Sequence, residues 1–303
     1  MISVALCTFN GERYLPALLA SLRQQTLLPL ELVACDDGSS DGSWAQLQQF
    51  AATAPFPVHL QRNPERLGVQ ANFQAAASLC RGPLTAFADQ DDIWLPEKLA
   101  RAAAAFANAA RPEASFYCCR LTCIDESGTV LGRTRVPTHI GFQNALVENI
   151  ATGCSVVFGS LLKARFLDAA AADMEMHDWW LYLLASSFGE VLYDPEPQVL
   201  YRQHGSNVAG WQPRLSRWRA RMRSTRGRLR AGRRGMDSLN QAARFVHTYP
   251  DCPAQVRATV KALVALRSAS LLPRLARALN PGVARNDPVE NLALRAMIAL
   301  GIH

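Results

Sequence analysis

The chain has 303 residues, enough to bury a sizeable core as one large domain or as a domain with an appendage. Its 49% hydrophobic and 19% charged residues are those of a globular protein and exclude a disordered one. The formal net charge of +7 favours negatively charged partners, and no apolar run is long enough to span a bilayer.

The opening Met1-Ile2-Ser3-Val4 lacks the basic and long apolar regions of a signal peptide, so the expected location is the cytoplasm. Ile2 to Cys7 and Leu30 to Cys35 read as strands, and Leu15, Leu18, Leu19 and Leu22 recur between them at helical spacing. A helix with Trp44, Leu47 and Ala51 leads to a strand at Val58 to Leu60. Another, with Val69, Phe73, Ala76 and Cys80, leads to a strand from Leu84 to Ala88. This alternation predicts an α/β fold, a mostly parallel sheet flanked by helices, with ligands at the carboxyl ends of the strands. Eight cysteines lie mostly inside such apolar runs, as at Cys7, Cys35 and Cys154, without Cys-x-x-Cys spacing. They read as buried thiols in a reducing compartment.

Three polar clusters follow the strands on that edge: Thr8-Phe9-Asn10, Asp36-Asp37-Gly38-Ser39 and Asp89-Gln90-Asp91-Asp92. Each alone is compatible with a turn. In the last, three carboxylates in four residues repel one another unless a cation sits among them. Hard oxygen donors suit Mg²⁺ or Mn²⁺, ions that commonly hold nucleotide phosphates. The competing reading is an acidic turn capping a helix that starts near Pro96.

After Arg111, Ser115 to Ile124 reads as a strand, Asp125 to Gly128 as a turn and Thr129 to Leu131 as its return. Cys154 to Phe158 is a further expected strand, and a helix carrying Trp180, Leu183 and Leu184 begins near Asp178. Short segments at Val191 to Tyr193 and Val199 to Arg202 complete this half. The chain then turns basic and helical: residues 214–234 hold ten arginines and no acidic residue. Trp211, Leu215, Trp218, Met222 and Leu229 fall close to one helical face, the pattern of an interfacial helix. Anionic lipid would add roughly 1 kcal/mol per basic residue near the surface. The alternative is a helix packed on its own domain with solvated arginines. Val256, Val260, Leu263 and Leu266, then Leu271 to Leu279, suggest two more amphipathic helices forming a bundle or an oligomer contact. The expected division is 1–210, in halves 1–110 and 111–210, and a basic helical region 211–303.

Over roughly residues 2 to 210 the chain resembles the family 2 glycosyltransferases, particularly rhamnosyltransferase-like bacterial members. The resemblance rests on Cys7 to Gly11, Asp36 to Asp41, Asn63 with Leu67-Gly68, Ala88 to Trp94, His177 to Trp180 and Tyr201 to Asn207. It implies a GT-A fold, with a nucleotide-sugar-binding half fused to an acceptor half. By the same resemblance, Thr8 and Asn10 bond the nucleoside and Asp36 or Asp37 accepts the N3–H of a uracil or thymine ring. That acidic pair can equally cap a helix near Asp41. Asp89 then sits near the ribose and Asp91 holds the metal, while Asp92 supports the metal shell or meets the acceptor.

Asp178 matches the general base of inverting members, and can also be an N-cap of its helix. Many relatives carry Glu where this chain has His177. His204 matches a metal or diphosphate ligand, and Arg202 a diphosphate contact or a solvated salt bridge. Trp94, Trp179 and Trp180 offer stacking faces for sugars, although adjacent helical residues diverge and one of the last two belongs to the core. The function implied is metal-dependent inverting transfer, with Mg²⁺ or Mn²⁺, of a sugar to a saccharide or lipid-linked acceptor of the cell envelope. dTDP-L-rhamnose is the favoured donor, with UDP- and GDP-sugars open. The enzyme would be peripheral at the inner face of the cytoplasmic membrane, held to its anionic surface by Trp211 to Arg234. A nucleic-acid-binding reading rests on the arginine run alone, with no zinc spacing or RNA motif beside it, so no nucleic-acid partner is expected. A silent sugar-nucleotide binder is disfavoured because the candidate metal ligand and base are both present.

Overall fold

A computed structural model describes residues 1–205, 237–280 and 282–301. It forms two units: Met1–Val136 with Asn149–Arg202, and Pro137–Glu148 with Gln203–His303. The first unit ends at Arg202, and the short insertion Pro137–Glu148 belongs with the C-terminal part.

The first unit is built on one nine-stranded sheet. Its amino half alternates β1 (Ile2–Thr8), α1 (Leu15–Arg23), β2 (Glu31–Asp36), α2 (Ser43–Ala51), β3 (Val58–Arg62), α3 (Val69–Leu79) and β4 (Leu84–Asp89). The four strands pair in parallel in the order β3-β2-β1-β4. Both faces are covered, so β2 is buried throughout and its residues 32–35 are a continuous apolar run. The leucines of α1 at 15, 18, 19 and 22 are all buried, as their spacing predicts. Register fixes the functional edge: Thr8 lies opposite Asp36, and Cys7 opposite Asp89. The loops after β1, β2 and β4 leave the sheet at one level.

β5 (Ile93–Trp94) and α4 (Lys98–Ala107) follow, then β6 (Ser115–Ile124), β7 (Val130–Arg133), β8 (Val157–Gly159), a helix Ser160–Asp168, a helix His177–Phe188 and β9 (Glu190–Arg202). Pairing here is mixed: β8 runs antiparallel to both β4 and β6, and β9 runs parallel to β6. Helix His177–Phe188 buries most of both its faces, which makes it a core element.

Two readings change. Cys154 and Ser155 lie in a 3₁₀ turn, Gly153–Ser155, whose Thr152 and Ser155 side chains form a capping box, so the strand starts later. Val191 to Tyr193 and Val199 to Arg202 are ends of one strand. Pro195 and Pro197 break its pattern, and its pairing slips opposite Arg120. Helix Ser160–Asp168 also fills a stretch for which no element was expected.

The second unit contains the helices Phe142–Ala145, Asp237–Thr248, Ala254–Ala265, Leu271–Leu279 and Pro288–Leu300. Val256, Val260 and Leu263 are buried as their spacing predicts. The Trp211 to Arg234 segment lies outside the described residues. Among those described, no helix is long and apolar enough to cross a membrane.

Candidate active site

The first two loops brace each other. Asn10 takes a left-handed conformation (φ 50°), which asparagine tolerates better than most residues. Its Oδ1 accepts the Ser40 N–H at 2.9 Å, and its own N–H donates to Ser39 Oγ at 2.9 Å. Thr8 Oγ1 donates to Asp36 Oδ1 at 3.1 Å, and Asp36 Oδ2 accepts the Ser39 N–H at 2.9 Å. Thr8 and Asp36 are both buried, and their mutual bond holds the loop in shape. Asn10 is exposed at the loop tip.

Asp37 is buried and clamps the loop before α3. Its Oδ1 accepts from Leu67 N at 2.7 Å and Asn63 Nδ2 at 2.9 Å, and its Oδ2 from Gly68 N at 2.9 Å. Gly68, at φ 82°, takes a conformation that suits glycine. Asn63 in turn donates to Asn72 Oδ1, and Asn72 to the Cys35 carbonyl. The sequence set Asn63, Leu67 and Gly68 beside the acidic pair without showing this network.

Gln90 was not among the expected site residues. Its Oε1 accepts the Phe9 N–H at 2.9 Å while its Nε2 donates to the Phe9 carbonyl at 3.0 Å. This two-way pairing fastens the acidic loop to the first loop. A Cβ on Gly11 would lie 2.1 Å from Gln90 Oε1, so any side chain there would displace the Gln90 amide.

Arg202 is also a fastener. Its Nε donates to the Asp91 carbonyl at 3.0 Å, and its Nη1 to the carbonyls of Asp125 and Glu126. Its backbone N–H donates to Asp92 Oδ1 at 2.9 Å. The side chain is buried and its guanidinium lies 5.0 Å from the Tyr14 ring centroid. Its described bonds hold the acidic loop against the end of β9.

Within that loop the carboxylates separate. Asp92 is fully buried and its Oδ2 has no hydrogen-bond partner. Asp89 and Asp91 are partly exposed. Ligand atoms of Asp89, Asp92 and Cys154 lie within 4.8 Å of one another. Burial, then the charges of Asp91 and Asp178, push Asp89 up to about 8. Burial, then Asp91 and Asp89, raise Asp92. Below them Lys98 is buried without a hydrogen-bond partner, its Nζ 3.1 Å from the Trp94 ring centroid, and burial lowers it to about 8. Crowded carboxylates, one carrying an orphaned oxygen, form a donor set that fits a divalent cation. His204 stands two residues beyond β9, in the second unit, and its role as a ligand rests on sequence alone.

Asp178 is the second residue of helix His177–Phe188, behind an N-cap at Met176, so the capping reading does not hold. It is buried, and its Oδ1 accepts from Trp179 N at 2.6 Å and Asn149 Nδ2 at 3.0 Å. Burial lifts it to about 7 against these bonds. Its neighbour His177 is buried with neither ring nitrogen hydrogen-bonded, stacked 4.1 Å from Phe73, and burial lowers it to about 3. A Cβ on Gly153 would stand 2.7 Å from His177 Nε2 and 3.1 Å from Asp89 Oδ2, so this glycine lets the turn close over both. Trp94 and Trp180 are core residues and offer no stacking face, whereas Trp179 is half-buried. Asn149 and Gly153 carried no motif, and Gln90 stood inside one with no role assigned, since each acts through a contact distant in sequence.

A mostly parallel sheet edge that gathers an acidic loop, with a buried carboxylate beside it, is an arrangement of the GT-A type. Residues 3–169 match the family model described as glycosyl transferase family 2, and the chain belongs to that family. It is a glycosyltransferase. The dTDP-rhamnosyl transferase RfbG of Shigella flexneri is 26% identical over 220 residues, 68% of this chain and 73% of that one. The UDP-Glc:alpha-D-GlcNAc-diphosphoundecaprenol beta-1,3-glucosyltransferase WfgD of Escherichia coli is 27% identical over 157 residues, 52% of this chain and 59% of that one. Mycobacterial relatives of uncharacterised role are spanned over 60% of their length. Among solved structures, S. aureus TarS 1-349 in complex with UDP superposes with a TM-score of 0.59 at 14% identity, covering 92% of this chain and 75% of that one. The mannosyltransferase PcManGT from Pyrobaculum calidifontis, in complex with GDP-Man and Mn²⁺, gives 0.52 at 18% identity, covering 99% and 85%. At these identities the structures establish the fold.

Proposed function

We propose that the protein transfers a sugar, with inversion, from a nucleoside diphosphate to a hydroxyl of a lipid-linked saccharide of the cell envelope. The observation that carries this reading is Asp178: a buried carboxylate near pH 7, electrostatically coupled to Asp89 across the candidate donor site. A general base works best when its pKa lies near the operating pH. Asp178 takes the proton of the acceptor hydroxyl as its oxygen attacks the anomeric carbon. The bond from that carbon to the diphosphate breaks on the opposite side, and the nucleoside diphosphate leaves with the electron pair.

Mg²⁺ or Mn²⁺, held by Asp91 and Asp89 and supported by Asp92, would supply Lewis-acid stabilisation of the diphosphate. Asn10 reaches the nucleoside from the loop tip, and the remaining lone pairs of Asp37 Oδ2 suit a pyrimidine N3–H. Trp179 is the side chain left to stack on a sugar. dTDP-L-rhamnose is the favoured donor, supported by the likeness to the Shigella protein. A UDP-sugar is the second reading, supported by the E. coli glucosyltransferase. The proposed division of labour gives residues 1–110 the donor and 111–210 the acceptor, with the basic region after 210 meeting an anionic membrane at the cytoplasmic face.

The test is calorimetry with dTDP, UDP and GDP, with and without Mn²⁺, followed by turnover of the matching sugars on a diphosphoundecaprenol-linked acceptor. Tighter dTDP binding with metal, and rhamnose transfer with inverted configuration, is the expected result. Retention of configuration would remove Asp178 as base.

A further inference from the structure

Seven large apolar side chains stand exposed within thirty residues of the second unit. On helix Leu271–Leu279 they are Leu271, Leu272, Leu275 and Leu279, with Leu272 and Leu279 each 78% exposed. On helix Pro288–Leu300 they are Val289, Leu292 and Leu300, with Leu292 at 68%. Single exposed leucines are ordinary, but a cluster this dense marks a binding surface.

The wheel explains the pattern. At 100° per residue, Leu271, Leu272, Leu275 and Leu279 fall within one 100° arc, and Arg274 and Arg277 fall outside it. None of the nine residues of that helix is buried. In helix Pro288–Leu300 the buried residues are Leu294 and Ile298, so Val289, Leu292 and Leu300 form a second apolar stripe that core packing does not use. The two helices run antiparallel and tie each other's ends. Arg274 Nη1 donates to the Leu300 carbonyl at 3.0 Å, and Arg295 Nη1 to the Leu279 carbonyl at 3.1 Å. The leucines are thus held on a braced hairpin.

We propose that this hairpin docks on an anionic lipid surface, its leucines entering the headgroup boundary and its arginines meeting phosphates. Charge selects the occupant. Helix Leu271–Leu279 has two arginines and no acidic residue, its partner carries Arg295 against Glu290 and is near neutral, and the unit also contains the ten arginines of residues 214–234. A symmetric contact between two copies would set the same arginine-flanked patch against itself, whereas an anionic bilayer complements both its apolar and its cationic parts. The inference leans on the proposed action at a lipid-linked acceptor for its purpose only, since the contact is measured without donor or acceptor.

The experiment is flotation of the full-length protein with phosphatidylcholine vesicles and with vesicles containing phosphatidylglycerol, at low and high salt. The wild type should float with the anionic vesicles and keep part of its binding at high salt. Leu272→Ser/Leu279→Ser/Leu292→Ser changes only exposed side chains, and an unaltered thermal transition confirms that it folds. It should weaken binding at least about tenfold and abolish the salt-resistant part. Arg274→Gln/Arg277→Gln should weaken binding chiefly at low salt. Unchanged flotation of the leucine variant would overturn the proposal. A wild-type dimer that this variant splits into monomers, with vesicle binding unaffected, would assign the surface to a second copy. Vesicle binding without any affinity for nucleoside diphosphates would instead overturn the proposed donor and leave this inference standing.

Discussion

Asn149 donates its side-chain N–H to the Asp178 carboxylate at 3.0 Å, from a loop 29 residues earlier in the chain. The bond favours the ionised form and opposes the burial that lifts Asp178 to about 7. If Asp178 is the base, transfer rises with pH through an acidic limb near neutrality. Asn149→Ala should move that limb upward, because the ionised form loses its donor. Asp178→Asn should lower turnover by about 10²- to 10⁴-fold with donor affinity nearly intact. A kcat–pH profile for the three proteins checks both, and an unmoved limb in Asn149→Ala would assign it to another group.

The same carboxylate makes a stability prediction. Its folded pKa, about 7, exceeds the ordinary value of 3.8, so the folded protein binds the proton more tightly than the unfolded chain. The favourable contribution of the protonated form is complete below about pH 4 and is lost as pH rises through 7. Asn does not titrate. The melting temperature of Asp178→Asn should therefore gain on the wild type steadily between about pH 4 and 7, then hold a constant difference. A difference independent of pH would mean that Asp178 is ionised at little cost.

Asp91 should behave as a functional residue that burdens the fold. Its charge is the largest electrostatic contribution raising both Asp89 and Asp92. Asp91→Asn should stabilise the metal-free protein by about 1 kcal/mol, a shift of roughly 2 °C at this size. It should also remove most of the gain in nucleotide affinity that Mn²⁺ provides. Calorimetry and thermal melts separate the two effects, and a melting temperature that falls would show Asp91 to be a structural ligand of the loop.

These expectations divide along what the sequence could show. The strands of the amino half were legible because each is a short apolar run ending in a polar cluster, and because α1 places its leucines on one face. Asp178 was legible through its motif. Its donor Asn149 was not, since an asparagine in a loop carries no signal until the fold brings it to a carboxylate. Trp94 and Arg202 stand in family-like motifs, yet the structure puts one in the core against Lys98 and binds the other to three backbone carbonyls. A motif fixes which residues stand together in the chain, whereas burial decides which of them face a ligand. The prolines of β9 concealed a continuous strand, because local pattern fails where a tertiary partner, here β6, supplies the pairing.

The pairing of Gln90 with Phe9 gives the sharpest test of how the donor loops are held. Gln90→Ala deletes two hydrogen bonds, at about 1 kcal/mol each, and should lower the melting temperature by several degrees. Gly11→Ala should do comparable damage by another route, since its Cβ would sit 2.1 Å from Gln90 Oε1 and push the amide off the Phe9 peptide. Combined, the two changes should cost little more than either alone, because alanine at 90 vacates the space that alanine at 11 needs. The coupling should be about 1–2 kcal/mol in a double-mutant cycle. Both single variants should raise the KM for the donor more than they lower kcat, since the clamp shapes the nucleoside loop and leaves Asp178 untouched. Strict additivity would show that Gly11 is required for another reason, and an unchanged KM would separate this clamp from donor binding.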